Sequence, residues 1–148
     1  MQLAQLNLAK MVAPLDSPEM AGFVSRLANV NARAEAAPGF IWRLKDDGDG
    51  ATSIRIFEDN FLIVNMSVWS GPEALNDFVY KQSDHAEALK KRREWFESPS
   101  ESMVACWSVV NGHQPTLDEA RQKLELLRTI GSTADSFSLK TAADHFKP

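Results

Sequence analysis

His85 is the residue in this sequence best suited by type and position to acid–base or metal chemistry. Its imidazole titrates near neutral pH, and the surrounding pattern predicts that it lies near the start of a helix. Helical spacing also places it on one face with Leu89, Arg92 and Phe96, where a hydrogen bond at a helix–sheet contact would explain it without catalysis. His85 is therefore the first catalytic candidate, with a structural role as the alternative.

Arg93 is the second catalytic candidate, because its guanidinium could hold a ligand carboxylate in a bidentate pair. The neighbouring Trp95 would then cover the apolar part of the same ligand, which makes it a ligand-binding candidate. The structural alternative is an arginine packed over an aromatic ring by a cation–π interaction.

His113 lies in a predicted strand-to-helix loop, where it either binds a ligand or orients the turn. The histidines are scattered, and no paired carboxylates accompany them at metal-ligand spacing, so the sequence predicts no metal site. Cys106, the only cysteine, lies in an apolar run. The apolar surroundings predict a buried thiol. A single cysteine excludes an internal disulfide, and a free thiol favours a reducing compartment. Neither a glycine-rich phosphate loop nor a nucleophile elbow is present.

Polar residues inside a predicted strand over 61–69 indicate a binding surface. One set of alternate positions is wholly apolar, whereas the set between them carries Asn65, Ser67 and Trp69. Polar groups in the middle of a strand need hydrogen-bond partners, which can be a ligand, a neighbouring side chain or a second subunit. Asn65, Ser67 and Trp69 are therefore predicted ligand-binding residues.

A first strand over 3–8 can present Gln5 and Asn7 on the same surface of the sheet. The combined surface would be half polar and half aromatic. Such a lining is typical of a concave ligand pocket or of a partly wet dimer interface.

The remaining pattern predicts an α+β fold. Strands are predicted over 3–8, 40–45, 53–57, 61–69, 104–110 and 136–140, and helices over 18–36, 72–80 and 84–96. A last helix is predicted from Leu117, after a capping box from Thr116 to Glu119, to a left-handed stop at Gly131. Asp46-Asp47-Gly48-Asp49-Gly50 is better explained as a hairpin turn than as a calcium loop. The order implies one domain over 1–140, in which an antiparallel sheet carries helices on one face, followed by a C-terminal tail over 141–148.

Composition excludes several classes of partner. The net charge of −4 argues against nucleic acid, which would call for clustered positive charge. No apolar stretch is long enough to span a bilayer, and the first residues lack the pattern of a secretory signal. The sequence therefore predicts a cytoplasmic protein that binds neither nucleic acid nor membrane.

Several short segments together resemble a known family. They are Leu3-Ala-Gln-Leu-Asn7, Met20-Ala-Gly-Phe-Val24, Pro38-Gly-Phe-Ile-Trp-Arg43, Phe78-Val-Tyr80 with His85, Arg93-Glu-Trp-Phe96, Gly112-His-Gln-Pro-Thr116, and Glu119-Ala120 with Leu124 and Leu127. In combination they resemble the bacterial domain-of-unknown-function family 3291 over nearly the whole chain. The chain departs from the family's usual pattern at Cys106-Trp107 and at Ser132-Thr133.

The resemblance implies a dimeric α+β barrel built from ferredoxin-like protomers. Small antibiotic-biosynthesis monooxygenases, some haem-dependent enzymes and some lyases share this architecture. The expected partners are therefore a small-molecule ligand and a second copy of the chain. The cofactor is unknown: no motif indicates one, and haem enters only by analogy of fold.

The leading functional hypothesis is a small enzyme, monooxygenase-like or lyase- or isomerase-like, that acts on an apolar or aromatic small molecule. In this hypothesis His85 is the acid or base, Arg93 binds an anionic group of the ligand, and Asn65 orients the ligand through its polar side chain. Trp69 and Trp95 form the walls. The alternative is a non-catalytic module that binds a small molecule or serves as a structural dimer.

Overall fold

The computed structural model describes residues 1–45, 57, 59, 61–81 and 91–148. Within these residues, one antiparallel sheet has four strands in the order β2-β3-β1-β4. The strands are β1 (Gln2–Lys10), β2 (Phe40–Arg43), β3 (Leu62–Trp69) and β4 (Val104–Val109).

Helix α1 (Ala21–Ala36) connects β1 to β2, and α2 (Pro72–Lys81) follows β3. This βαββαβ succession, combined with the strand order, is the ferredoxin-like arrangement. The predicted α+β class and ferredoxin-like sheet are thereby confirmed. Helix α3 (Leu117–Ile130) and the short helix α4 (Ala142–His145) follow β4. Residues 91–95, before β4, are also helical.

The back face of the sheet carries Ala4, Leu6 and Leu8 of β1. These residues belong to one apolar cluster with Leu124 and Leu127 of α3. The front face carries the alternate residues of β1, and it is covered by α1 and α2.

On the front face, Leu3 and Trp69 belong to a second apolar cluster with Ala34 of α1 and Leu75 of α2. The expectation that the helices lie on one face of the sheet is therefore wrong. The wholly apolar set of alternate positions in β1 and β3 must be buried, and the amphipathic α3 supplies its cover.

Local signals explain where α3 begins and ends. The Thr116 hydroxyl accepts a hydrogen bond from the backbone N–H of Glu119 at 3.1 Å, as the predicted capping box requires. Gly131 ends the helix with φ of 78°, a left-handed conformation that glycine adopts without steric cost. Both predictions are confirmed.

The predicted last strand over 136–140 is wrong. Only Phe137 pairs with the sheet, through an isolated bridge to Cys106. The chain then turns into a 3₁₀ helix over Leu139–Thr141, whose Ser138 side chain accepts a hydrogen bond from the Thr141 backbone N–H. Serine and threonine hydroxyls compete with sheet hydrogen bonds in this way.

The segment after residue 140 contacts the rest of the molecule. Ala142 is fully buried, and Phe146 packs against the front-face cluster. The domain boundary expected at residue 140 stays a prediction. No helix in the described part of the chain is long and apolar enough to cross a membrane.

Three predicted features lie outside the described residues. They are the turn over 46–50, the strand over 53–57 apart from its last residue, and the start of the helix over 84–96, which includes His85.

Candidate ligand-binding site

A cavity of about 330 Å³ lies between the front face of the sheet and the helices that cover it. Its volume falls in the range of small-molecule pockets. The walls come from apolar and aromatic side chains of α1, α2, β2 and β3 and from the end of the helical segment 91–95. They include Phe23, Leu27, Phe40, Trp69, Phe78 and Phe96.

The floor of the cavity is a polar strip on the sheet. Register places Gln5 opposite Ser67 and Asn7 opposite Asn65, so four polar side chains from two adjacent strands share one surface. Trp69 borders the same strip. The structure thus brings together Asn65, Ser67 and Trp69, as the alternation in the sequence predicted.

Part of this strip is already paired by internal hydrogen bonds. The Trp69 indole Nε1 donates to Ser67 Oγ at 2.9 Å, and Ser67 Oγ donates to Gln5 Oε1 at 3.2 Å. All three residues are buried. The chain of hydrogen bonds fixes their orientation before any ligand arrives.

Asn7 differs from its neighbours on the floor. Its Oδ1 atom is buried and has no hydrogen-bond partner among the described residues. Leaving a buried acceptor unpaired costs roughly 1–3 kcal/mol. The sequence placed Asn7 on this surface but gave no reason to single it out, because the missing partner is a tertiary property.

Arg43 of β2 also lines the cavity, although the sequence did not single it out. It is buried, and its Nε donates to Glu35 Oε1 at 2.7 Å. Lys45 lies 3.3 Å from the same carboxylate oxygen. The hydrogen bond from Arg43, followed by that from Lys45, lowers the pKa of Glu35. The cation at the floor of the cavity is thus paired with a carboxylate.

Arg93 and Trp95 occupy different positions from those expected. Arg93 is exposed and is not among the described residues that line the cavity, whereas Arg92 and Phe96 are. Trp95 packs against Phe23 with a ring-centroid distance of 5.8 Å.

The guanidinium over the Trp95 ring belongs to Arg26 of α1, at 5.5 Å from the ring centroid. A cation–π contact at this tryptophan was the structural alternative considered for Arg93, and a different arginine makes it. The role of Trp95 as a wall of the ligand site stays a prediction.

His113 belongs to a network on the other side of the sheet. Its Nε2 lies 2.7 Å from Glu119 Oε2, and the Trp107 indole donates to Glu119 Oε1 at 2.8 Å. Burial raises the pKa of Glu119, but the hydrogen bonds from His113 and Trp107 outweigh it, so the pKa is lowered overall. His113 is not among the described cavity residues, and its predicted ligand role has no geometric support.

His85 lies outside the described residues, and its predicted catalytic role stays a prediction. The described residues contain no group of three or more histidine, cysteine, aspartate or glutamate side chains that could hold a metal. Burial raises the pKa of the Cys106 thiol to about 12, which makes it a poor nucleophile.

Haem was the cofactor considered by analogy of fold. Axial ligation in haem proteins comes from histidine, cysteine, methionine or tyrosine. None of these residue types lines the described part of the cavity. The described lining therefore does not fit a haem.

The strand order and the cavity together define a ferredoxin-like α+β domain with a cavity between sheet and helices. The family model Domain of unknown function (DUF3291) matches residues 2–147, and the chain belongs to this family. The resemblance found in the sequence is thereby confirmed.

A search of solved structures found a likeness to SnoaB, a cofactor-independent oxygenase from Streptomyces nogalater. The sequence identity is 18%, the TM-score is 0.49, and the match covers 78% of this chain and 98% of that chain. A search of curated proteins found no match.

Proposed function

We propose that this protein binds a largely apolar small molecule, of about the size of a fused aromatic ring pair, in the cavity between the front face and the helices. The observation that carries this proposal is a concave space with aromatic and aliphatic walls and a polar strip at its floor, as small-molecule sites have. Here aromatic and aliphatic residues from several elements surround about 330 Å³ of open volume.

The lining supports a ligand of mixed character. Apolar walls would supply affinity through burial, while the polar strip on the sheet would fix orientation. Its internal hydrogen bonds hold Ser67 and Trp69 in place, which limits the conformational entropy lost on binding.

Isothermal titration of the purified protein with methyl 2-naphthoate tests the proposal. We expect saturable binding with one site per chain. Val30→Trp should weaken binding at least tenfold, because Val30 lines the cavity from α1 and a larger ring there would obstruct it. The matched control is Val24→Trp, on the same helix and similarly exposed but not among the lining residues. Absence of binding, or equal loss in both variants, would contradict the proposal.

We extend the proposal to an enzyme that converts the bound molecule, with His85 as acid or base. Native mass spectrometry of freshly purified protein would reveal a co-purified ligand, and incubation in air would reveal its conversion. We expect His85→Asn to retain the ligand and lose conversion. A ligand that stays unchanged on the wild-type protein would favour the non-catalytic binding module.

We also propose that the protein is a homodimer, as the family resemblance implies, and that it is cytoplasmic, as its single cysteine in an apolar run suggests. The mixed polar and aromatic sheet face that suggested an interface is the front face, which α1 and α2 cover, so the partner would contact a different surface. Light scattering at micromolar concentration should give twice the chain mass of 16.5 kDa. A monomer mass would contradict the dimer without affecting the binding proposal.

A further inference from the structure

The head group of the ligand can be inferred from the two asparagines on the floor of the cavity. Asn7 of β1 lies directly opposite Asn65 of β3, and both residues line the cavity. Directly opposed residues of antiparallel strands have Cβ atoms roughly 4.5–5.5 Å apart. Two amides are therefore close enough to contact one small polar group.

These amides have hydrogen-bonding capacity to spare. Asn7 Oδ1 is buried without a partner among the described residues, and neither amide makes a side-chain hydrogen bond to another described residue. An asparagine amide offers one carbonyl acceptor and two N–H donors. The torsion that orients it is broad and roughly two-fold, so rotation of the amide can turn either its oxygen or its nitrogen toward the cavity.

The other polar side chains of the floor each have at least one atom in a hydrogen bond. Gln5 Oε1 accepts from Ser67, Ser67 Oγ accepts from Trp69, and the Arg43 guanidinium is paired with Glu35. An anionic head group would therefore find no unpaired cation at the floor among the described residues. Arg92, the other arginine of the lining, is exposed like Asn65, but it belongs to the helical segment 91–95 and not to the floor.

We propose that Asn7 and Asn65 select a neutral head group that both donates and accepts hydrogen bonds, such as a carboxamide or a lactam. The ligand N–H would bind Asn7 Oδ1 and remove the cost of its unpaired state, while an Asn65 N–H would bind the ligand carbonyl. The hydrogen-bond donor of the head group decides which ligands are preferred, because only a donor can pair with the unpaired Asn7 Oδ1. This inference rests on the proposed binding function.

The test compares 2-naphthamide with methyl 2-naphthoate, which has a similar shape and a carbonyl acceptor but no N–H donor. We expect the wild-type protein to bind the amide about tenfold more tightly, since one net hydrogen bond of about 1.4 kcal/mol corresponds to tenfold in affinity. In Asn7→Leu, the amide should lose that advantage while the affinity for the ester stays within about twofold of wild type.

Two further variants separate a hydrogen-bonding role from a general effect on folding. Asn7→Asp keeps an acceptor oxygen and should retain the preference for the amide. Asn76→Leu makes the same change as Asn7→Leu at a half-buried position of α2 that is not among the lining residues, and it should leave both affinities unchanged. A preference that survives in Asn7→Leu would overturn the assignment.

The outcomes distinguish the two proposals. Equal binding of the amide and the ester by the wild-type protein would overturn the head-group inference and leave ligand binding intact. Failure of both probes to bind would overturn the binding function on which the inference rests.

Discussion

The two faces of the sheet are built from alternate residues of the same strands, yet they have opposite characters. On the back face, Leu6 of β1 and Met66 of β3 form a continuous apolar cluster with α3. On the front face, the intervening positions carry Gln5, Asn7 and their partners on β3, and a cavity separates them from the helices.

The difference separates a face that contributes stability from the face at which we propose that the ligand binds. A filled apolar face contributes to the free energy of folding through burial and close packing. A face with open volume and an unpaired amide oxygen forgoes part of that contribution. Such a departure from dense, fully paired packing is expected at functional sites.

The largest expected effect comes from truncating a leucine on the back face, compared with the same change at a leucine of the cavity. Leu124→Ala in α3 removes a fully buried side chain and should lower the free energy of unfolding by about 3 kcal/mol. Leu27→Ala in α1 removes a half-buried side chain at the cavity and should cost about 1 kcal/mol. Urea denaturation measures both values. Equal losses would show that the front face is packed as tightly as the back face.

A second contrast lies within the front face. Ser67→Ala removes the partner of both Trp69 and Gln5, leaving a buried indole N–H unpaired, and should lower the free energy of unfolding by about 2 kcal/mol.

Asn7→Leu is expected to change the free energy of unfolding in the opposite direction. It replaces an unpaired buried acceptor by an apolar group of similar size and should raise the free energy of unfolding by about 1 kcal/mol. The combination of higher stability with lost ligand preference is the signature of a residue kept for binding. Thermal unfolding of the ligand-free protein checks this, and a destabilised Asn7→Leu would indicate that the amide is paired in solution.

An effect of similar size that depends on pH concerns the Glu119 network on the back face. Because the pKa of Glu119 is lowered in the fold from its usual 4.5, the carboxylate contributes stability that is fully present above pH 4.5. That contribution is lost as the pH falls through the lower folded-state value.

Glu119→Gln should therefore be less stable than wild type by about 1 kcal/mol at neutral pH, with the difference shrinking below pH 4.5. Urea denaturation as a function of pH provides the measurement. Glu125→Gln, at an exposed position of the same helix, is the control and should show no comparable difference. A difference that is independent of pH would argue against a role for the charge.

Much of the fold could be predicted from local pattern. Period-two alternation identified which residues of β3 share a face, because successive side chains of a strand point to opposite sides. Thr116 and Gly131 marked the ends of α3 because capping depends on residues within one helical turn. The same alternation placed Asn65, Ser67 and Trp69 together.

Local pattern could not decide outcomes that depend on a single residue position along a helix or on a distant partner. Arg92 lines the cavity and Arg93 does not, since neighbouring residues of a helix point about 100° apart. The tertiary fold placed His113 beside Glu119 and a different arginine, Arg26, over Trp95.

The sequence by itself determined the class of fold, the apolar set that must be buried and the polar set that shares the other face. These properties follow from the geometry of helices and strands, which is local. Only the tertiary structure decided that α3 covers the back face, that a cavity remains on the front face, and that Asn7 is left without a partner. Those properties depend on how separate elements meet in space, and no spacing of residues along the chain encodes that directly.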